Sequence, residues 1–262
     1  MLTNIRYNQD PAVPLHLDFY PSKKTNAAVV VWIHGGAWQT GSRRITTTQF
    51  LRDHGYAVVS ISYRFTDAAI FPAQIQDCKC AIQFLRANAK AFGIDSEKIG
   101  VWGASAGGHL AATLALTNGH IKFEGNDGYG SYSSDVQAAC DWFGPSDLLS
   151  MPDQESSIDH AGPESPEGRL VGGHINENRW LAAMASPISH VAQNAAPMLI
   201  AHGTKDAVVP CAQSTALFSR LKDVGAEAKL LTYEGSGHGD GAFLEQPARD
   251  AVLQFFRQQL PL

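Results

Sequence analysis

The stretch Lys98-Ile99-Gly100-Val101-Trp102-Gly103-Ala104-Ser105-Ala106-Gly107-Gly108-His109-Leu110 constrains this chain more than any other. An apolar β-type run, residues 99–102, enters Gly103-Ala104-Ser105-Ala106-Gly107 and leaves into a small, helix-favouring stretch, residues 108–116. The pattern predicts strand, tight turn, helix. A turn this sharp holds its central residue in a strained backbone conformation, so its neighbours must be Gly or Ala to clear the strand and the helix. Ser105 then stands exposed at the carboxyl end of a central strand, beside unpaired N–H groups of the first helical turn that favour an anion. The arrangement suits a serine nucleophile and an oxyanion. Because 24 glycines in 262 residues produce G-x-S-x-G by chance, the weight rests on the strand before it and the helix after it.

The rest of the chain alternates in the same way. Residues 5–7 and 15–20 alternate apolar and polar side chains, as two antiparallel strands with one wet face would. Residues 27–33 are continuously apolar, the mark of a strand covered on both faces. Residues 42–55 have helical composition, 56–63 are β-rich, and Ile75, Cys78, Ile82, Leu85 and Ala89 recur at helical spacing between Pro72 and Gly93. This order implies an α/β fold with a mostly parallel central sheet, right-handed crossovers and helices on both faces.

A further strand is expected over 135–143. From about 145 to 195 the pattern then breaks into Pro-, Gly-, Ser- and Glu-rich sequence with short helical pieces such as 176–184. So long an interruption between two strands is usually functional, and a small cap-like insertion over the active-site end of one domain spanning 1–262 is expected. The sheet resumes at 197–203, followed by an amphipathic helix at 211–224, a last strand at 228–233 and a final helix at 247–260.

Composition narrows the functional classes. With 17% charged and 44% hydrophobic residues and a net charge of -5, the chain reads as one soluble domain, and no basic patch suggests a nucleic-acid partner. No apolar run is long enough to span a bilayer, and the first residues lack a basic segment followed by an apolar one. A membrane partner is therefore not expected; the expected compartment is the cytoplasm for the chain as written, or outside the cell if a leader has been removed. Cys78, Cys80, Cys140 and Cys211 are expected to be buried free thiols, and Cys78-Lys79-Cys80 has the wrong spacing for common zinc patterns, so no metal is expected. Oligomeric state is not legible.

A serine hydroxyl needs a neutral imidazole to take its proton, and the imidazole needs a carboxylate to fix its tautomer. In open α/β sheets such groups collect just beyond the carboxyl ends of strands. Asp206 follows the strand at 197–203, and His238 follows the last strand in Gly235-Ser236-Gly237-His238-Gly239. The order Ser105, Asp206, His238 is the one this architecture uses. Asp147, in a loop, is the fallback carboxylate, while Asp141 lies inside a strand. His34-Gly35-Gly36-Ala37-Trp38 ends an earlier central strand and offers Gly35 and Gly36 N–H groups which, with that of Ala106, would form an oxyanion hole. Trp38 beside that loop is a candidate wall of the substrate pocket; Trp32 and Trp102 are expected in the core, and His109 is expected to serve packing.

Together, His34 to Trp38, Gly103 to His109, His202-Gly203-Thr204-Lys205-Asp206-Ala207-Val208-Val209-Pro210 and Gly237-His238-Gly239 resemble the hormone-sensitive-lipase-like branch of the α/β-hydrolases. Within it the chain is most similar to small bifunctional feruloyl and acetyl-xylan esterases, with arylformamidases as near relatives. Phe71-Pro72-Ala73-Gln74 with Asp77, and Glu164-Ser165-Pro166-Glu167 leading to Leu170-Val171-Gly172-Gly173 and Ala185-Ser186-Pro187, support the esterase group. The broader branch usually has a third glycine where this chain has Ala37. The resemblance implies an α/β-hydrolase fold and a cofactor-free serine esterase acting through an acyl-enzyme on acetyl or feruloyl esters of plant-wall carbohydrates. A general short-chain carboxylesterase and an arylformamidase-like amide hydrolase are the alternatives.

Overall fold

The apolar runs become neighbouring strands of one sheet. The structure is a computed structural model that describes residues 1–10, 12–44, 47–125 and 128–262. Its strands are β1 (Leu2–Arg6), β2 (His16–Tyr20), β3 (Ala27–Ile33), β4 (Ala57–Ile61), β5 (Ile94–Ala104), β6 (Ala138–Trp142), β7 (Met198–Gly203) and β8 (Ala228–Tyr233). They lie in the order β1-β2-β4-β3-β5-β6-β7-β8. β1 pairs antiparallel with β2 and β2 antiparallel with β4; every later pairing is parallel. β5, which leads into Ser105, thus sits mid-sheet between β3 and β6.

Because successive strand side chains point to opposite faces, continuous apolar runs feed two cores. Val29, Val31 and Ile33 of β3 join one cluster, with α2 (Ala73–Ala87), α4 (Ala106–Leu116) and α7 (Ala212–Asp223). Ala28, Val30 and Trp32 join the other, with Leu51 of α1 (Phe50–Asp53) and Val252, Leu253 and Phe256 of α8 (Gln246–Gln259). On this second face Trp102 packs edge-on against Trp32, 5.2 Å between rings, and against Trp142, 4.8 Å. Trp32 and Trp102 are thus core residues, 3% and 0% exposed.

Three local expectations need correction. The helix expected over 42–55 shrinks to the four residues of α1 among the described residues, with Ile45 and Thr46 outside them. Thr47 and Thr48, just before α1, are β-branched and lose rotamer freedom in a helix, which disfavours an earlier start. The helix expected to run unbroken to Gly93 divides at Asn88 into α2 and α3 (Ala89–Phe92). The Asn88 side chain donates to the Phe84 carbonyl at 2.8 Å, competing locally with helix continuation. Finally, Cys78, Cys80 and Cys140 are buried, but Cys211 is half-buried because it stands at the start of α7, beside an open groove.

Between β6 and β7, residues 145–195 hold short 3-10 turns, α5 (Pro166–Val171) and α6 (Arg179–Ala185). Glu164-Ser165-Pro166-Glu167 is the start of α5. Ser165 caps it by accepting the Gly168 N–H at 2.9 Å, and Pro166 occupies a first-turn position where no N–H is needed. The segment is tied to the sheet end by Ser157 N–H to the Ala207 carbonyl, 2.7 Å, and by Phe71 N–H to the Leu170 carbonyl, 2.8 Å. Among the described residues no helix is long and apolar enough to cross a membrane.

Candidate active site

Ser105 joins β5 to α4 with φ 56° and ψ -125°, a left-handed conformation that L residues rarely adopt. The surroundings hold it there. Its N–H donates to the Trp142 carbonyl of β6 at 2.8 Å, and its own carbonyl accepts the His109 N–H at 3.0 Å. Closeness of strand and helix excludes side chains beside it. A Cβ on Gly107 would lie 2.1 Å from the Ile33 oxygen, and one on Gly103 2.0 Å from the Gly107 oxygen.

The turns after β7 and β8 bring two further groups to this end. His238 Nε2 is 3.0 Å from Ser105 Oγ, and His238 Nδ1 is 2.7 Å from Asp206 Oδ2. With the Nδ1–H donating to Asp206, Nε2 is free to accept the serine proton. The other Asp206 oxygen accepts the N–H groups of Val208 and Val209, each at 2.9 Å. Burial opposes the Asp206 charge, but hydrogen bonds from His202 and His238 and the Val209 N–H outweigh it and hold the carboxyl well below the usual carboxylate range. A fixed carboxylate at this position sets the imidazole tautomer and favours the cation formed when Nε2 takes a proton.

Two contributors were not singled out from sequence. His202, at the end of β7, approaches Asp206 Oδ2 to 3.3 Å, while Ser214 Oγ donates to its Nδ1 at 2.7 Å and its Nε2–H points to the Val209 carbonyl at 2.8 Å. Its spacing of four residues before Asp206 was the available signal. Phe143 packs its ring on His238, 4.7 Å between centroids, from a left-handed backbone, φ 43°. No sequence pattern announces such a residue. The fallback Asp147 instead accepts the Leu149 N–H at 3.1 Å in its own loop. Asp141 is fully buried on β6, accepting the Gly144 N–H at 2.9 Å.

The loop after β3 crosses directly over the serine. Gly36, Ala37 and Trp38 are left-handed in succession, φ 113°, 55° and 56°. The missing third glycine is therefore not a conformational change: Ala37 adopts the left-handed backbone at the modest cost an L residue carries there. A Cβ on Gly35 would sit 2.7 Å from the Ala104 oxygen and 3.3 Å from Ser105 Cβ, so this backbone lies against Ser105. Ala106 opens α4, where backbone N–H groups have no intrahelical acceptor. His34 anchors the loop from below: its carbonyl accepts the Tyr63 hydroxyl at 2.9 Å, its ring stacks on Tyr63, and burial lowers its basicity.

Beside Ser105 is a pocket of about 50 Å³. Trp38, Pro145, Ile158 and Val209 give it apolar walls, and the buried pair His160–Glu167, 2.9 Å apart, closes one side. Among the described residues, no group of three or more His, Cys, Asp or Glu side chains is placed to hold a metal ion.

A family model described as BD-FAE matches residues 17–221 of this chain, a span that takes in the glycine loop, Ser105 and Asp206. The chain belongs to the BD-FAE family. Among curated proteins, this BD-FAE chain is 34% identical over 265 residues to Esterase LipC of Mycobacterium tuberculosis, covering 97% of this chain and 64% of the relative. It is 33% identical to Esterase LipQ of the same organism, covering 80% and 48%. The BD-FAE chain thus spans about half to two-thirds of the length of these relatives. Among solved structures it superposes on a truncated carbohydrate esterase from gut microbiota with TM-score 0.90 and 34% identity, covering 99% of this chain and 96% of that one. A bifunctional GH43-CE protein of Bacteroides eggerthii superposes with TM-score 0.88 and 34% identity over 98% of this chain and 38% of that protein.

Proposed function

We propose that this protein is a serine carboxylic-ester hydrolase, with Ser105, His238 and Asp206 as its catalytic residues. The observation that carries the reading is the hydrogen-bonded series from Ser105 Oγ to His238 to Asp206 at a strained strand–helix turn. Ser105 Oγ attacks the ester carbonyl carbon as its proton passes to His238 Nε2. The tetrahedral oxyanion is held by N–H groups of Gly35, Gly36 and Ala106, and Asp206 steadies the imidazolium. Collapse expels the alcohol, which takes the proton from Nε2, and leaves an acyl-Ser105 ester. Water, deprotonated by His238, repeats the attack and frees the acid. No cofactor enters this sequence of steps.

Acetyl or feruloyl esters of plant-wall carbohydrates are the proposed substrates, supported by likeness to the gut carbohydrate esterase and the GH43-CE protein.

Rates on acetylated xylo-oligosaccharide, methyl ferulate, a p-nitrophenyl series from acetate to octanoate, and N-formylkynurenine, with Ser105→Ala as blank, test this reading. Turnover of the acetylated sugar comparable to that of p-nitrophenyl acetate supports the carbohydrate assignment. Turnover of the activated short esters alone replaces it with a general carboxylesterase. Dominant cleavage of N-formylkynurenine replaces it with an amide hydrolase, and activity surviving in Ser105→Ala refutes the mechanism.

A further inference from the structure

His109 lies one helical turn beyond Ser105 on α4, fully buried, and both of its ring nitrogens are engaged. Trp38 Nε1–H, from the glycine loop, donates to His109 Nδ1 at 3.2 Å, with the two rings edge to face at 5.0 Å. His109 Nε2–H donates to the carbonyl of Ala185, the last residue of α6, at 2.6 Å. An indole N–H only donates and a carbonyl only accepts, so this pairing requires one tautomer of a neutral ring: bare Nδ1, protonated Nε2. Burial pushes the imidazole down to about 4, in keeping with a ring that stays neutral.

One residue therefore joins three segments. Its own backbone N–H bonds the Ser105 carbonyl, its Nδ1 receives the glycine loop, and its Nε2–H reaches the segment between β6 and β7. Packing alone would be satisfied by an apolar side chain of similar size. What an apolar side chain lacks is an acceptor for the Trp38 indole, whose residue stands two positions after Gly36.

We infer that His109 is a positioning residue, whose ring holds the Trp38 loop at the spacing from Ala106 that the oxyanion hole requires. The inference rests on the serine-hydrolase reading above and deepens it. Released from His109, the loop shifts relative to α4, and donors correctly placed in neither ground state nor transition state lose their differential effect. A misplacement on the order of 1 Å costs about 10²-fold, and one lost oxyanion donor about 10²–10³-fold, so a loosened loop should cost about 10–100-fold in kcat.

The test compares His109→Leu, His109→Gln, Trp38→Phe and the Leu/Phe double variant, each checked for a wild-type-like thermal melt, on p-nitrophenyl acetate. His109→Leu is expected to lower kcat about 10–100-fold with KM within about threefold. Affinity for a trifluoromethyl ketone, whose hemiketal oxyanion occupies the hole, should fall in parallel. Gln carries an acceptor and a donor and is expected to recover most of the loss. Trp38→Phe keeps an aromatic side chain, though a smaller one, and removes the donor, so it should reproduce the loss, and the double variant should add little to it. Folded His109→Leu with wild-type kcat, a loss Gln does not recover, or additive effects in the double variant would overturn the inference. Should His109→Leu not fold, Trp38→Phe decides: a fall in kcat of about 10–100-fold with KM within about threefold and a parallel loss of trifluoromethyl ketone affinity supports the inference, and wild-type kcat or a loss confined to KM refutes it. Fluorophosphonate labelling of wild-type Ser105 separates the two claims. No labelling removes the hydrolase reading and this one with it, whereas labelling with unmoved variant rates removes only the role of His109.

Discussion

Asp141→Asn isolates a charge that the fold makes expensive. Asp141 is fully buried on β6; its Oδ1 accepts the Gly144 N–H, and its Oδ2 has no hydrogen-bond partner among the described residues. Burial raises its carboxyl from 3.8 to about 6, against the Gly144 hydrogen bond and the nearby His202, which pull it down. Between those two values the unfolded chain ionises while the folded one does not, so stability falls as pH rises. The contribution is whole below 3.8 and lost once pH passes about 6. At 1.36 kcal/mol per pKa unit the loss amounts to about 3 kcal/mol. His109 acts with the opposite sign: its folded value of about 4 lies below the ordinary 6.5, so its share of stability rises with pH over much of the same range. The two partly cancel in the wild type, and the wild-type profile alone decides nothing. Asn at 141 removes one of them and keeps the Gly144 bond; its unpartnered amide costs about 1–3 kcal/mol, but equally at every pH. Urea unfolding of both proteins at pH 4 and pH 8 gives the needed double difference. The variant should gain about 2–3 kcal/mol on the wild type between the two conditions, and parallel pH profiles would refute the buried-charge reasoning.

Two other perturbations follow from the same geometry. Asp206→Asn replaces the carboxylate that accepts the His238 Nδ1–H, and a fall in kcat of about 10⁴-fold is expected, read as initial rate on p-nitrophenyl acetate; a loss below tenfold would remove Asp206 from the mechanism. Its depressed carboxyl also stabilises the fold above the unfolded value of 3.8, an effect lost as pH falls below it, so the variant should unfold less steeply with acid. Gly107→Ala puts a Cβ 2.1 Å from the Ile33 oxygen, backbone against backbone. A loss of about 3 kcal/mol or more is expected, seen as a lower melting temperature or insoluble protein, and a wild-type melt would show that strand and helix can part.

Much of the frame was legible because its signals are local. Continuous apolar runs marked β3 and β7, Gly and Ala around Ser105 marked the turn, and order along the chain placed Asp206 and His238 after later strands. The start of the helix before Phe50 was misplaced because composition resembled a helix while the β-branched Thr47 and Thr48 opposed it. The helix end at Asn88 was missed for a similar reason, since one side-chain hydrogen bond outweighed continuing periodicity. Phe143 escaped because nothing near it in sequence shows that it touches His238, and His202 because a spacing of four residues before Asp206 does not by itself say that the two side chains meet.

By itself the sequence determined the element types, the alternation that makes a mostly parallel sheet, and which residue types are available for acyl chemistry, because these follow from period, turn sterics and side-chain chemistry. The tertiary structure alone decided what meets what. It set the 3.0 and 2.7 Å contacts across 133 and 32 residues, the bond from Trp38 to His109 across 71, and a pocket only about 50 Å³ in size. Distances of that kind depend on how layers pack and on where an irregular segment such as 145–195 comes to rest, and neither is written in any local pattern.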